Sequence, residues 1–280
     1  INKDLKIEMF GQELNDVTYA ICKSDFLMTG ENPENIQGPC SSLSEDKHDR
    51  KFDYMITNPP FGVSWKSEKD FIINEAKDRS GRFFQGQPRT SDGSLLFLQH
   101  LIHKMEKNGS RIGIVFNGSP LFTGDAGSGE SEIRKYIFEN DLLECIISMS
   151  DKMFFNTSIG TYIWILTNKK KSERKGLVQL IDGSGLSMTM KRNLGNKGKY
   201  ISDEQCIKLF DLYVKFEEND LSKIYPNNFF GYTKIHIEQT LLKNGKKVFD
   251  KNGNSKIDKS KSDSEIVPLS KDIDKFFSQE

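Results

Sequence analysis

The chain has 280 residues, of which 36% are hydrophobic and 11% aromatic, enough to bury a core in one large domain with an appendage or in two small domains. Forty basic side chains balance forty acidic ones, whereas a protein that grips duplex nucleic acid unaided is expected to carry a basic excess. No apolar run approaches the roughly eighteen residues that cross a bilayer, and Ile1 to Lys6 forms no apolar leader, so no membrane partner and a cytoplasmic location are expected.

In chain order, residues 5–12 alternate as a strand does and end on Gly11-Gln12-Glu13-Leu14-Asn15, where Asn15 can cap a helix running through Tyr19 to about Lys23. Thr29 to Lys51 is rich in Asn, Pro, Gly, Ser and Asp, leaving room for one short strand near Ile36. Phe52 to Thr57 is a compact apolar strand, stopped at once by Asn58-Pro59-Pro60-Phe61-Gly62, because paired prolines can neither donate to a ladder nor continue a helix. A helical stripe runs over Asp92–Lys107 behind a capping Ser91 or Asp92. Arg111–Phe116 reads as a strand, Ser131–Asn140 as an amphipathic helix, and Leu142–Ser148 and Tyr162–Asn168 as strands. Strands alternating with helices predict an α/β domain with a mainly parallel sheet. Beyond it, Lys169–Lys175 and Lys191–Lys199 are basic segments, read as solvated loops, around a short strand at Val178–Ile181. Ser202–Phe216 is an amphipathic helix, residues 232–238 alternate, and a last helix is expected near Asp272–Phe277. The composition places a boundary near residue 225, dividing a catalytic domain, 1–225, from a C-terminal extension, 226–280.

No metal site is expected. The four cysteines, Cys22, Cys40, Cys145 and Cys206, form no Cys-x-x-Cys pair, and the four histidines share no ligand spacing. Gly124-Asp125-Ala126-Gly127-Ser128-Gly129 is followed by no Gly-Lys-Ser/Thr, so it reads as a flexible loop rather than a phosphate cradle.

The most specific signal is Asn58-Pro59-Pro60-Phe61 directly after an apolar strand. An aromatic amine is a poor nucleophile because its lone pair is delocalised into the ring. Two fixed acceptors on its hydrogens favour a more tetrahedral nitrogen whose lone pair can face an electrophile. Asn58 offers a side-chain carbonyl and Pro59 a main-chain carbonyl with no competing N–H, while Phe61 can stack on a base. Such geometry is unreachable inside a stacked duplex, so the base must rotate out of the helix at a cost of a few kcal/mol. Glu13, at the carboxyl end of the first strand, stands where nucleotide-binding α/β folds place an acidic residue for ribose hydroxyls.

Phe-Gly-Gln-Glu-Leu-Asn, Phe-Asp-Tyr-Met-Ile-Thr-Asn-Pro-Pro-Phe-Gly, Ser91-Asp92-Gly93-Ser94-Leu95-Leu96-Phe97, Phe155-Asn156-Thr157 and Tyr162-Ile163-Trp164-Ile165-Leu166 resemble the successive blocks of the modification subunits of type I restriction-modification systems. The resemblance spans nearly the whole chain. It implies a Rossmann-like class I fold, S-adenosylmethionine as methyl donor and N6 of an adenine in double-stranded DNA as acceptor. It also implies the specificity and restriction subunits of the same system as partners. Glu13 with Leu14 would hold the donor at its ribose, Asn58 would stand between donor and target, and Asn58 to Phe61 would hold the target amine. Phe154, with Phe155 as its competitor, would stack on the flipped base. Methylation of a protein glutamine or of cytosine N4 is chemically allowed by the same turn.

The chain also departs from that family. The Gly-rich turn that closes over the donor's methionine part is expected upstream of Ile7, which makes the chain read as a fragment lacking a central strand. Its sheet is then expected to show a gap, a direct pairing of the flanking strands, or a borrowed strand. Where an acidic residue often meets the donor's adenine, this chain reads Gly38-Pro39-Cys40-Ser41-Ser42-Leu43. An alternative reading follows, in which this piece is an inert scaffold that binds the specificity subunit.

Overall fold

A computed structural model describes residues 6–272 and residue 275; the helix expected over Asp272–Phe277 lies largely outside the described residues. The elements are β1 (Gly11–Gln12), α1 (Asp16–Thr29), β2 (Ile36–Gln37), β3 (Tyr54–Thr57), α2 (Lys69–Glu75), α3 (Ser94–His103), β4 (Arg111–Phe116), α4 (Ser119–Phe122), α5 (Gly129–Glu139) and β5 (Leu143–Ser148). They continue with β6 (Tyr162–Thr167), β7 (Leu177–Asp182), β8 (Met188–Leu194), β9 (Lys197–Tyr200), α6 (Asp203–Lys215), β10 (Ser222–Pro226), β11 (Tyr232–Ile237), β12 (Leu242–Lys243), β13 (Lys246–Lys247) and β14 (Asp263–Pro268).

Six strands form the main sheet in the order β10-β7-β5-β6-β4-β3. β3 and β4 pair in parallel, as do β5 and β7, whereas β6 runs antiparallel to both β4 and β5, and β10 antiparallel to β7. The sheet is therefore mixed, with four strands pointing one way and β6 and β10 the other. The expectation of a mainly parallel sheet holds for strand direction and fails for neighbour pairing, because β6 returns between β4 and β5 by way of a loop instead of a crossover helix. Among the described residues no helix is long and apolar enough to cross a membrane.

Burial follows the strand period. Ile112, Ile114 and Phe116 of β4 are fully buried on one face, against Leu95 and Leu98 of α3 and Ile133 and Ile137 of α5. β5 is buried on both faces, with Ile146 in that core and Cys145 and Ile147 in a second core under Leu209 of α6. This makes β5 a central strand between two helical layers. An interior ion cluster fixes α6: Glu144, 1% exposed, accepts from Tyr213 Oη at 2.6 Å and pairs with Arg111 at 3.1 Å. Burial together with the Glu144 bond pushes the Tyr213 hydroxyl well above its ordinary range.

β1 and β2 stand apart as a parallel two-stranded ribbon, Gly11 opposite Ile36 and Gln12 opposite Gln37. The strand expected over residues 5–12 shrinks to these two residues because its partner is equally short, closed by Pro39, which has no N–H to give a ladder. α1 runs six residues past the expected end and stops at Gly30, whose φ of 79° suits a residue without Cβ. Of the three arrangements anticipated for the incomplete sheet, the structure shows the gap. β3 is the last strand, only Met55 of it is buried, and Ile56 is 92% exposed. α1 has no buried residue and exposes Val17, Ile21, Leu27 and Met28.

Candidate active site

β3 leaves the sheet at Thr57, which lies opposite Ile114, and Pro59 and Pro60 end the ladder there. Asn58 is exposed, Pro59 buried and Phe61 half-buried. Among the described residues neither the Asn58 side-chain amide nor the Pro59 carbonyl has a hydrogen-bond partner. Both acceptors are thus free at the carboxyl end of β3. The chain reverses at Gly62, with φ of 62°, and is strapped to the segment before α3. Gly93 N donates to Val63 O at 2.9 Å, Trp65 N to Thr90 O at 3.1 Å and Trp65 Nε1 to Arg89 O at 3.0 Å. The Trp65 ring is 3% exposed in a core of Leu43, Ile72, Phe83 and Leu96. The turn is therefore held by a buried aromatic anchor that sequence reasoning missed; its signal was one of only two tryptophans, placed between two polar residues.

The end of β1 is linked to this anchor through the loop after β2. Glu13 N donates to Gln37 O at 3.0 Å, and Cys40 N donates to Glu13 O at 3.0 Å. A Cβ on Gly38 would lie 2.4 Å from that same carbonyl, and its φ of 147° suits only glycine, so Gly38 permits the approach. Ser41 and Ser44 hydrogen-bond Glu68, just beyond Trp65, and Leu43 joins the Trp65 core. The Glu13 carboxylate accepts from Asn15 N at 2.7 Å through Oε1, while among the described residues Oε2 has no partner. One oxygen orients the group, which is half-buried at the end of β1. Leu14 beside it is 66% exposed. The loop carries no carboxylate between Gly38 and Ser44, and burial pushes the Cys40 thiol above its ordinary range.

Phe154 lies in the loop from β5 to β6. Register places Ser148 opposite Tyr162, and Tyr162 opposite Phe116, so this loop leaves the sheet at the same end as the turn after β3. The sheet thus brings the Asn58 and Phe154 loops to one end through β4 and β6. Phe154 is half-buried; Phe155 is 55% exposed, with Lys197 Nζ 4.9 Å from its ring centroid. One face of Phe155 is therefore already covered by a cation.

His100 and His103 lie on α3, away from this end. Arg82 NH1 lies 3.1 Å from His100 Nδ1, and burial, with the Arg82 charge, pushes His100 down to about 4. A cleft of about 1280 Å³ lies between α5, the face of β5 to β7 and residues 220–233. It contains none of Glu13, Asn58 to Phe61 or Phe154.

The model of the N-6 DNA methylase family matches residues 1–253. The chain belongs to the N-6 DNA methylase family. The chain is 28% identical over 243 residues to the type I restriction enzyme MjaIX methylase subunit of Methanocaldococcus jannaschii, covering 86% of this chain and 41% of that protein. It is 30% identical over 177 residues to the HindI methylase subunit of Haemophilus influenzae, covering 63% and 38%. Among solved structures, a type I restriction-modification methyltransferase subunit from Streptococcus thermophilus superposes with a TM-score of 0.66 at 26% identity, over 79% of this chain and 44% of that one. The chain thus spans about two-fifths of the length of the curated relatives it matches.

Proposed function

We propose that the chain is the catalytic part of a type I modification methylase, which transfers a methyl group from S-adenosylmethionine to N6 of an adenine rotated out of double-stranded DNA. The observation that carries this reading is the pair of unpartnered acceptors, Asn58 and the Pro59 carbonyl, on a turn anchored by Trp65. Asn58 Oδ1 and Pro59 O would each accept one hydrogen of the target amine, turning its lone pair toward the donor. Phe61 and Phe154 would hold the unstacked base, offsetting part of the few kcal/mol that flipping costs. The turn itself carries no titratable side chain, so it offers no base for the proton lost on methylation.

The residues present fit the ribose end of the donor, whose sulfonium supplies the methyl electrophile. Glu13 Oε2 is available for the hydroxyls, and the close approach at Gly38 leaves the end of β1 compact. The specificity and restriction subunits would complete the system, with residues 226–280 as a contact for a partner subunit. The family and the curated relatives support adenine in DNA over protein glutamine or cytosine N4 as acceptor.

A second reading is favoured by the bare side of β3. Ile56 is 92% exposed and no strand flanks β3 on that side among the described residues, so this piece by itself would be an inert scaffold. The two readings differ in affinity for the donor.

Replacing Asn58 with Ala in the full-length assembly tests the catalytic reading. Methyl transfer should fall by at least about 100-fold, as for loss of one fixed hydrogen-bonding group at a reacting centre, with DNA affinity nearly unchanged. Retained transfer would remove Asn58 from the chemistry.

A further inference from the structure

The two basic segments of the sequence each leave two exposed cations, Lys171 with Lys175 and Lys191 with Arg192, at opposite ends of the sheet. Lys169–Lys175 follows β6, which runs against its neighbours, and so lies at the end of the sheet opposite Asn58. Three of its cations are consumed by the fold: Lys169 Nζ donates to Asn108 O at 2.8 Å, buried Lys170 pairs with Asp141 at 2.5 Å, and buried Arg174 packs 4.7 Å from the Tyr213 ring. Lys191–Lys199 instead forms the β8–β9 hairpin, which docks on the Phe154 loop. Asn196 N donates to Phe155 O at 3.0 Å, and Gly198 N and Lys199 N donate to Lys152 O at 2.9 and 3.1 Å. Lys197 covers the Phe155 ring, and Lys199 bonds Asp151 and Ser150. The turn and β9 are thus fastened to the loop, with two of the hairpin's four cations engaged there, while Lys191 and Arg192 lie on β8 where its register with β9 shifts between Thr189 and Leu194.

The other two are not used. Lys191 and Arg192 are exposed and, among the described residues, form no ion pair or hydrogen bond. Between Gly183 and Ile201 there are four cations and no carboxylate, in a chain whose net charge is zero. Met188, Leu194 and Tyr200 on the same hairpin are also exposed. A two-stranded ribbon is narrow enough to enter the major groove, and cations that track a duplex read its phosphates.

Resting on the methylase reading, we propose that the β8–β9 hairpin is a DNA-contacting arm, in which Lys191 and Arg192 bind backbone phosphates of the duplex flanking the flipped base. Two features select DNA as the occupant: the charge is complementary to it, and the hairpin is bonded to the loop that carries Phe154 and Phe155. The arm adds grip where the base leaves the helix, which the neutral chain otherwise lacks.

The test uses the full-length methylase with its specificity subunit, and compares the parent with a Lys191→Ala/Arg192→Ala double variant. A Lys171→Ala/Lys175→Ala double variant has the same charge change at the far end of the sheet. DNA affinity is measured across a salt series on cognate and unrelated duplexes, and subunit association by sedimentation. The slope of log affinity against log salt should become shallower by about 1.8 in the first variant, about 0.9 per lost phosphate contact, with similar weakening on every sequence. The second should match the parent. An unchanged slope in the first variant overturns the proposal, as does an unchanged slope with weakened subunit association, which would assign the hairpin to a protein partner. Equal loss in both variants would reduce the effect to bulk charge and overturn it too. Methyl transfer by the parent is scored separately: transfer with an unchanged slope removes the arm and leaves the methylase reading, whereas a lost slope without transfer does the reverse.

Discussion

Phe154 and Phe155 are neighbours in sequence with different surroundings. Lys197 lies over the Phe155 ring, while Phe154 is half-buried with neither a ring nor a cation against it among the described residues. A base stacking on Phe155 would first displace an ammonium. Phe154→Ala should therefore lower the fluorescence of 2-aminopurine at the target position in the full-length complex, and Phe155→Ala should change it little; the opposite order would exchange their roles. His100 gives a prediction for pH. The unfolded chain takes up this proton near 6.5, and the folded chain resists it until about 4, so between those values the unfolded state binds more protons. Stability is full above pH 6.5 and falls as the pH drops toward 4, by on the order of 3 kcal/mol. His100→Gln should flatten stability against pH between 6.5 and 5, above the main carboxylate range, in urea titrations. An unaltered slope would show that other groups carry the acid sensitivity.

The helix ends show how local chemistry and packing divide the labour. Asn15 caps α1 as expected, its side chain accepting from Val17 N and Thr18 N, and Ser202 opens α6 with a reciprocal bond to Gln205. The expected side-chain cap of α3 is absent: Gly93 occupies the cap position, and Asp92 Oδ1 accepts from Ser94 N at 3.1 Å. The backbone there is committed to the strap instead, because Gly93 N already serves Val63 O. At this scale the decisive element is the segment from Asn58 to Trp65. Trp65→Ala should cost about 3–5 kcal/mol through the cavity it leaves, whereas Trp65→Phe should cost about 1 kcal/mol for the Nε1 bond to Arg89 O. Chemical denaturation of both variants checks the ranking, and equal losses would mean that the ring packing is not what anchors the turn.

At the scale of the molecule, the sheet ends at β3 with Ile56 and Tyr54 exposed, and the β1–β2 ribbon that carries Glu13 is separate from it. The residues that would touch a donor's ribose and a target amine are therefore joined by no sheet pairing among the described residues, but through the loop from Gly38 to Leu43 with the Trp65 core and through the ring contact of Phe10 with Phe52 at 5.6 Å. Among the described residues no strand lies between them. Calorimetric titration of S-adenosylmethionine into this chain should show no binding, beside micromolar binding by the full-length methylase. Micromolar binding by this chain would mean that the donor is held by residues other than those named, and would remove the scaffold reading.

Sequence by itself determined most elements, since apolar spacing and proline position are local quantities: the strand into Asn58-Pro59-Pro60, the stripe of α3, the cap of α1, the amphipathic α6 and the family blocks were all legible. It also placed the two acceptors, because a proline pair fixes the backbone wherever the turn sits. Three things were decided only by the tertiary structure. β6 inserts antiparallel between β4 and β5, since strand order depends on which apolar faces meet and not on spacing. The strand at residues 5–12 shortens to two residues, because a strand lasts only as long as the neighbour that receives its hydrogen bonds. And of two basic segments alike in composition, each of which keeps two exposed cations, one leaves Lys171 and Lys175 at the end of the sheet opposite Asn58 while the other holds Lys191 and Arg192 beside the Phe154 loop, a difference set by where the strands carry each segment.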